Sequence, residues 1–342
     1  MRFRFVLLLC LALGLCRTAS AQTAPSKPSW FEPQTINLSS RYRLIENTAG
    51  EMTANQMQFK DALRARINID RDRRFTIDIG AFTGSSFTSG WDATGIGSGN
   101  ATANMYVKQL YGSIAPVHGL ELQVGGLYIN HGESTEITSY DDDGYVMGER
   151  VTVRRPAQIY FDEVSVTRAA LSATATPGVI RRLKLLDHQN YWQAQVVKRF
   201  SPALSASVDF TEVAGAETAR AAIAVHLPAG APVSAVRFEQ YRRMTMQPAT
   251  GFAVVAERPI VGRAKVQGGY ADIDPRYGGL NGDRYQQGSR FFAMATIPVR
   301  GPLSAQLYAA QAVGSSTVAN RTRFDAVVTY DILAAVRGHR AN

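Results

Sequence analysis

The chain has 342 residues, with 37 Lys and Arg against 28 Asp and Glu, a formal net charge of +9 and two cysteines. Both cysteines, Cys10 and Cys16, lie near the N-terminus, so export with removal of that segment would leave neither a disulfide framework nor a cysteine-based metal site. The arginines are not bunched in one block but recur at alternate positions of the predicted strands, which argues against a protein that binds nucleic acid.

The N-terminus has the three parts of a secretory signal peptide. Two arginines within the first four residues precede the apolar run Phe5–Leu15, and the small residues Ala19-Ser20-Ala21 follow. We expect residues 1–21 to be a signal peptide cleaved before Gln22; a lipoprotein signal at Cys16 is the alternative. The segment contains three arginines, so the mature chain would carry a net charge of 9 − 3 = +6.

Residues 22–34 contain three prolines and small polar residues, and we expect them to form a periplasmic leader without a packed fold. The runs Thr35–Ile45, Gln58–Ile69 and Phe75–Phe82 then alternate apolar residues with polar or basic ones. An alternation with a period of two residues predicts β-strands that have one apolar face and one polar face.

The alternation continues along the chain and predicts about sixteen strands over residues 35–333, followed by a C-terminal tail at 334–342. Long and short connections alternate, as in bacterial outer-membrane barrels, and Asn130–Pro156 is expected to be the longest. The later predicted strands are Met105–Ala115, Leu120–Ile129, Gln158–Arg168, Val179–Leu186, Tyr191–Phe200, Leu204–Val213, Ala219–Leu227, Val233–Arg243, Phe252–Glu257, Ala264–Ala271, Arg290–Ile297, Leu303–Val313 and Phe324–Ile332.

A soluble β-sandwich or propeller would also alternate. Here, however, the polar face holds Gly, Ser, Gln, Asp and Arg, and the apolar face holds Ala, Val, Tyr and Phe, with aromatic residues near the strand ends. No apolar segment after the signal is long enough for a membrane helix, so a membrane location would require a closed barrel. We therefore predict an all-β fold, a transmembrane antiparallel β-barrel.

With its signal, its alternation and its rhythm of connections over Thr35–Ile332, the chain resembles a Gram-negative outer-membrane porin. The resemblance implies passive diffusion of small hydrophilic solutes, contact with outer-membrane lipid and lipopolysaccharide, and usually a homotrimer. Two features depart from the family. Residues 141–148 read DDDGYVMG where a Pro-Glu-Phe-Gly-Gly type motif is common, and the last residue is Asn342, not an aromatic residue. These departures count against the classical trimeric subgroup more than against the barrel.

The candidate site is the channel interior. The predicted pore-lining residues lie on the first three strands and are mostly basic: Arg41, Arg43, Lys60, Arg64, Arg66 and Asp78. In porins the third outer loop commonly folds into the lumen and presents acidic side chains to a basic wall. The candidate constriction loop here is acidic and contains Glu133, Glu136, Asp141, Asp142, Asp143 and Glu149. Opposed charges would create a transverse field, and the basic excess predicts a mild preference for anions. A solvated, outward-facing loop is equally compatible with the sequence.

A second transport function also fits a basic lumen, namely the export of an acidic polysaccharide of the alginate type. Arg237, Lys265, Arg290 and Arg323 would contribute to such an interior. Alternatively, the arginines pair with carboxylates of the wall, in which case they select little, because paired charge is already neutralised.

An outer-membrane enzyme is the alternative from another class, and it would need a nucleophile held close to a histidine. Ser134 lies near His131 in the sequence and Asp187 precedes His188, but neither spacing is diagnostic. We therefore predict no catalytic residues, no metal and no cofactor.

Overall fold

The structure is a computed structural model that describes residues 29–86, 89–96, 104–134, 144–154, 159–171, 177–186, 188–260, 264–274, 276, 287–313 and 321–340. Within these ranges sixteen antiparallel strands form one closed barrel, in which every strand pairs with its neighbours in the chain and β1 pairs with β16. The predicted all-β barrel of about sixteen strands is confirmed. The strands are β1 (Phe31–Glu46), β2 (Met52–Asn68), β3 (Phe75–Phe82), β4 (Tyr106–Val117), β5 (Leu120–Leu127), β6 (Val146–Val153), β7 (Glu163–Ala170), β8 (Tyr191–Ser201), β9 (Leu204–Val213), β10 (Ala216–His226), β11 (Ala235–Arg243), β12 (Ala249–Pro259), β13 (Lys265–Ile273), β14 (Gly288–Arg300), β15 (Leu303–Ala312) and β16 (Thr322–Asp331).

Two predicted elements are wrong, and their errors cancel in the strand count. Val179–Leu186 is not a strand: residues Val179–Leu185 form a 3₁₀ helix. Conversely, β6 lies inside the segment Asn130–Pro156, which was predicted to be a single connection. A short apolar run does not distinguish a strand from a helix, and the outward Glu149 interrupts the apolar face of β6.

Inside and outside follow the alternation of residues, and burial is the reverse of that in a soluble sheet. In β9, Ser205 and Ser207 face inward and are each 5% exposed, whereas Val208 faces outward and is 57% exposed. In β1, Arg41 is 4% exposed and Leu38 is 37% exposed. Apolar side chains therefore cover the outer surface, and polar side chains fill the inner one, as in a membrane-spanning barrel.

Aromatic rings form a belt on the outer surface of β8–β14. Trp192 and Phe210 lie 5.7 Å apart between ring centres. Further round, Phe252 lies 5.8 Å from Tyr270, which lies 5.1 Å from Phe291. Belts of this kind mark the level at which apolar surface gives way to polar surface in membrane barrels.

The two ends of the barrel differ in their connections. Residues 83–105, 128–145, 171–190 and 274–287 join strands at one end, here called the loop end. At the other end, the turn end, most connections are shorter, such as 118–119, 202–203 and 301–302. Three connections at the loop end are also short, namely 47–51, 244–248 and the tightest of them, in which Ala214 and Gly215 join β9 to β10 with φ values of 49° and 85°. Positive φ at both central residues is the geometry of a tight β-hairpin.

Asp70 organises the turn between β2 and β3. Its carboxylate accepts hydrogen bonds from the backbone N–H of Phe75 at 2.8 Å and of Arg74 at 3.2 Å. The Phe75 bond is the main reason that the pKa of Asp70 is lowered from its ordinary value. The Asp70 side chain thus accepts hydrogen bonds from backbone N–H groups at the point where the β2–β3 strand pairing ends.

The barrel seam lies between β1 and β16 and is extended at the turn end. The last pair of the ladder joins Asn37 to Asp331, while β1 starts earlier, at Phe31, inside the segment expected to be a leader. The chain then forms helix α1 (Ile332–Arg340), whose Leu333 is buried, and Asp331 accepts a hydrogen bond from the Ala334 N–H at 2.9 Å. Neither α1 nor the 3₁₀ helix of the described chain has the length and apolar character needed to cross a membrane.

Candidate functional site

The six residues predicted to line the interior lie on the inward-facing side of three adjacent strands. Arg66 of β2 lies opposite Asp78 of β3, which in turn lies opposite Tyr111 of β4, so all three share one row of the inner wall. The other members are an even number of residues away from inward-facing positions of β1 or β2 and therefore share this side. They are Arg41, Arg43, Lys60 and Arg64.

Several of the inner cations are held by carboxylates. Arg43 forms a two-point ion pair with Asp325, with N–O distances of 2.9 and 3.0 Å, and Arg323 bonds the same carboxylate. Arg66 bonds Asp78 at 2.8 Å. The same pattern recurs across the barrel, where Arg220 Nε lies 2.8 Å from Asp209 Oδ1. Paired charge of this kind holds the wall rigid and contributes less to the field in the lumen.

Part of the connection between β3 and β4 covers the basic wall. Trp91 packs on Arg41, with 4.3 Å between the guanidinium carbon and the ring centre, and lies 5.5 Å from the Lys60 ammonium. Gln58 links Arg41 to Trp91, because its side chain accepts hydrogen bonds from the Arg41 guanidinium and donates one to the Trp91 carbonyl oxygen at 3.3 Å. Nothing in the sequence marked Trp91 as a site residue, because its position depends on how the long connection folds back.

The connection between β5 and β6 enters the barrel. Asn130 donates to Ser165 of β7 at 3.0 Å, and its carbonyl oxygen accepts a hydrogen bond from Gln193 of β8 at 2.9 Å. The Glu133 N–H donates to Ser207 of β9 at 2.9 Å. All three wall residues face inward, so residues 128–134, here called the inner segment, cross the inside of the wall. Of the two paths left open by the sequence, this part of the loop takes the inward one.

Arg150 of β6 fixes the start of the inner segment. Its guanidinium donates to the Tyr128 carbonyl oxygen at 2.6 Å and to Thr167 Oγ1 at 2.8 Å, and it lies 4.6 Å from the centre of the Tyr128 ring. A further, longer contact of 3.5 Å reaches Gln123. In the described part of the chain these partners are all neutral, so Arg150 keeps an uncompensated positive charge on the inner wall.

The predicted constriction residues have different outcomes. Glu133 belongs to the inner segment. Glu149 is not part of the loop: it lies in β6 and faces outward, opposite Arg168 of β7, which corrects the prediction. The strand was missed because its alternation contains this charged outward residue. The remaining candidates lie outside the described residues: Glu136, Asp141, Asp142 and Asp143.

A cavity of about 260 Å³ opens on the inner wall, with Tyr128 of the inner segment in its lining. Arg64 and Asp78 supply charged groups, Gln109 an amide, and Tyr111 and Tyr128 two rings whose centres are 6.0 Å apart. These groups can hydrogen-bond a polar solute and pack against its apolar parts. In the described chain no three His, Asp or Glu side chains gather as a metal site requires.

Comparison with solved structures identifies the fold. The chain matches Salmonella typhi OmpF, solved in a complex with daunomycin, with a TM-score of 0.58 and 11% identity over 86% of this chain and 96% of that one. It matches a triple mutant of Rhodopseudomonas blastica porin with a TM-score of 0.53 and 12% identity over 87% and 99%. No family model matches the chain, and no curated protein does. The fold is therefore that of a porin-type sixteen-stranded barrel.

Proposed function

We propose that this porin-type barrel is an outer-membrane channel for the passive diffusion of small hydrophilic solutes, with a mild preference for anions. One observation carries the proposal: a closed barrel with charged and amide side chains inside and exposed aliphatic side chains outside. A polar lumen lowers the free energy of moving a hydrated solute across the bilayer, and no covalent chemistry is needed. The likeness to solved porins supports the same function.

The location follows from the same proposal. Residues 1–21 would direct export and be removed, and the barrel would insert with its loop end outside and its turn end in the periplasm. The exposed aliphatic surface would contact outer-membrane lipid, with lipopolysaccharide at the loop end. The long connections at that end and the mostly short ones at the other support this orientation.

The anion preference rests on the balance of charge along the inner wall. Asp78, Asp209 and Asp325 each have an arginine partner, whereas Arg150 is held by neutral groups in the described chain. A small positive excess on the wall of an aqueous channel, enclosed by a low-dielectric membrane, attracts anions and repels cations. We also propose that the acidic stretch 136–143 faces the basic wall of β1–β3, so that solutes pass through a transverse field.

The test is a recording from purified, refolded protein in planar bilayers under a KCl gradient. The proposal predicts discrete conductance steps and a reversal potential of anion-selective sign. A cation-selective sign would remove the anion preference, and an absence of steps would remove the channel. Replacing Asp141, Asp142 and Asp143 together by Asn should change the conductance; unchanged current and selectivity would place this stretch away from the pore.

Export of an acidic polysaccharide is the weaker transport alternative. Arg43, Arg66, Arg220 and Arg323 are engaged by wall carboxylates, which leaves less positive charge for a polymer to bind. An enzyme barrel is the weaker hypothesis still, because passive diffusion accounts for the polar inner wall without any catalytic group. Liposome swelling separates these functions: a channel admits small neutral sugars at rates that fall with size, whereas a plugged enzyme barrel admits none.

A further inference from the structure

The 3₁₀ helix Val179–Leu185 lies on the outside of the barrel. Leu110, Gly126, Met147 and Ala170 are successive cross-strand partners and form one outward row. Met147 is nevertheless only 1% exposed and Ala170 only 5%, because the helix covers them. Val179 packs so closely there that a Cβ on Gly126 would lie 2.2 Å from its Cγ2 atom.

The side of the helix that faces away from the barrel has two stripes. Ile180 and Leu183, three residues apart, are 60% and 43% exposed. Arg181 and Lys184, also three apart, are exposed beside them. Residues three apart eclipse each other in a 3₁₀ helix, so an apolar stripe runs next to a cationic one. Arg182 is instead buried, with its guanidinium 5.5 Å from the Tyr145 ring centre.

The helix lies at the level of the aromatic belt. The next outward row towards the turn end contains Glu149, Arg168 and Trp192, which are successive cross-strand partners. Trp192 belongs to the belt, so Ala170, at the β7 end of the covered row, is about one residue pair closer to the loop end than the belt itself. In a membrane barrel this is the depth at which acyl chains give way to headgroups.

We propose that this helix is a docking site for a phosphate-bearing lipid headgroup of the outer leaflet. Ile180 and Leu183 enter the acyl-chain boundary, and Arg181 and Lys184 bind the phosphate. The combination of an apolar stripe and a cationic stripe is that of interfacial anchors on anionic membranes. The inference rests on the proposed membrane location but not on conduction.

A lipid fits this surface better than a second copy of the chain. The described residues 177–186 contain three cations and no carboxylate, so the same surface on a two-fold partner would oppose like charges. A phosphate headgroup supplies the opposite charge, and its acyl chains supply the apolar partner. Both stripes are then used at once.

The first test reverses the cationic stripe. The double variant R181E/K184E is refolded into phosphatidylcholine nanodiscs with added lipid A, and bound lipid A is counted by native mass spectrometry. Two lost cations near a membrane surface should lower lipid A affinity about tenfold or more. The matched control R71E/R74E makes the same charge change on exposed arginines at the turn end and should leave affinity unchanged. Equal affinity in all three proteins would overturn the proposal.

The second test separates a lipid from a free anion and from a protein partner. The variant I180S/L183S should also lose lipid A, and inorganic phosphate should not displace lipid A from the unmodified protein. Displacement by phosphate, or full retention in I180S/L183S, contradicts a lipid site. A change from oligomer to monomer with the lipid count unaltered would identify a contact between copies. Heat-modifiable gel migration verifies that each variant is folded.

Conductance of the same samples keeps the two proposals apart. If lipid A binds the unmodified protein and is lost in the variants while no protein conducts, the channel fails and the lipid site stands. If every protein conducts and none retains lipid A, the lipid site fails and the channel stands.

Discussion

The Arg150 guanidinium donates a hydrogen bond to the Tyr128 carbonyl oxygen at 2.6 Å and lies 4.6 Å from the centre of the Tyr128 ring. This joins the barrel wall to the inner segment at the point where the chain leaves β5. Further along, Asn130 and Glu133 hold the same segment to β7 and β9 through hydrogen bonds to Ser165 and Ser207. The path of the segment inside the barrel therefore depends on a few identifiable contacts.

Replacing Arg150 by Ala should loosen the inner segment. Hydrogen bonds to a charged group contribute about 1.5–3 kcal/mol each, and this change removes those to Tyr128 and Thr167 together. We expect larger or more variable single-channel conductance and a weaker anion preference. The control Arg258→Ala removes an outward, exposed arginine near the turn end and should leave the recordings unchanged. Identical conductance in both variants would mean that Arg150 does not hold the segment.

The Arg43–Asp325–Arg323 cluster gives a prediction about stability and selectivity together. Asp325→Asn leaves two buried arginines without their carboxylate, and breaking a buried ion pair costs about 3–5 kcal/mol. The urea midpoint of the variant should fall, and its reversal potential should move further towards anions. Asp72→Asn is the control, since Asp72 and its partner Arg74 are both exposed and 3.8 Å apart. A stable variant with unaltered selectivity would contradict the role of the cluster.

Trp91 should reduce the contribution of Arg41 and Lys60 to anion selectivity, because it covers both cations. It packs on Arg41 and lies near Lys60, and each cation–π contact contributes about 0.5–2 kcal/mol. Trp91→Ala should uncover these cations and increase the ratio of chloride to potassium permeability. Trp30→Ala removes an exposed ring next to β1 and should have no such effect. A decrease in chloride permeability for Trp91→Ala would contradict this arrangement.

A charged substitution should destabilise the barrel when it is on the outer surface but not when it is on the inner surface. Val254 of β12 points outward, and Gln267 of β13 points inward next to Glu257, to which it donates a hydrogen bond at 2.6 Å. An arginine on the lipid face of a barrel costs about 2–4 kcal/mol at the bilayer midplane and less towards the interface, and Val254 is the cross-strand partner of Tyr270 in the aromatic belt. Val254→Arg should therefore make folding into phosphatidylcholine vesicles less favourable, and Gln267→Arg should not. The reverse order would place lipid on the wrong side of the wall.

Much of the fold could be predicted because alternation with a period of two residues needs only local sequence. Whether Leu38, Arg41 and Val208 face inward or outward can be predicted without knowing which strands pair with theirs. The helix at 179–185 was not predictable in this way, because an apolar run next to basic residues has no distinctive period at that length. The same limit hid β6, whose outward face contains Glu149.

The interior was predictable only as a set of strand residues. Arg43 and Arg66 were expected to face inward, and both do, but their pairing with Asp325 and Asp78 depends on the barrel register. The contributions of Trp91 and Tyr128 depend on the paths of long connections. Those paths are set by contacts with distant strands, about which local periodicity gives no information.

Single cysteines along β15 test the central arrangement most directly, because the chain has no cysteine after residue 21. Ser304→Cys and Gln306→Cys, on the inner face, should react with a charged, membrane-impermeant thiol reagent that reduces the conductance. Ala305→Cys and Leu307→Cys, on the outer face, should resist that reagent and react with one dissolved in the bilayer; Leu307 is already 42% exposed there. Reactivity that alternates in the opposite order, or does not alternate at all, would contradict a water-filled interior enclosed by a lipid-facing wall.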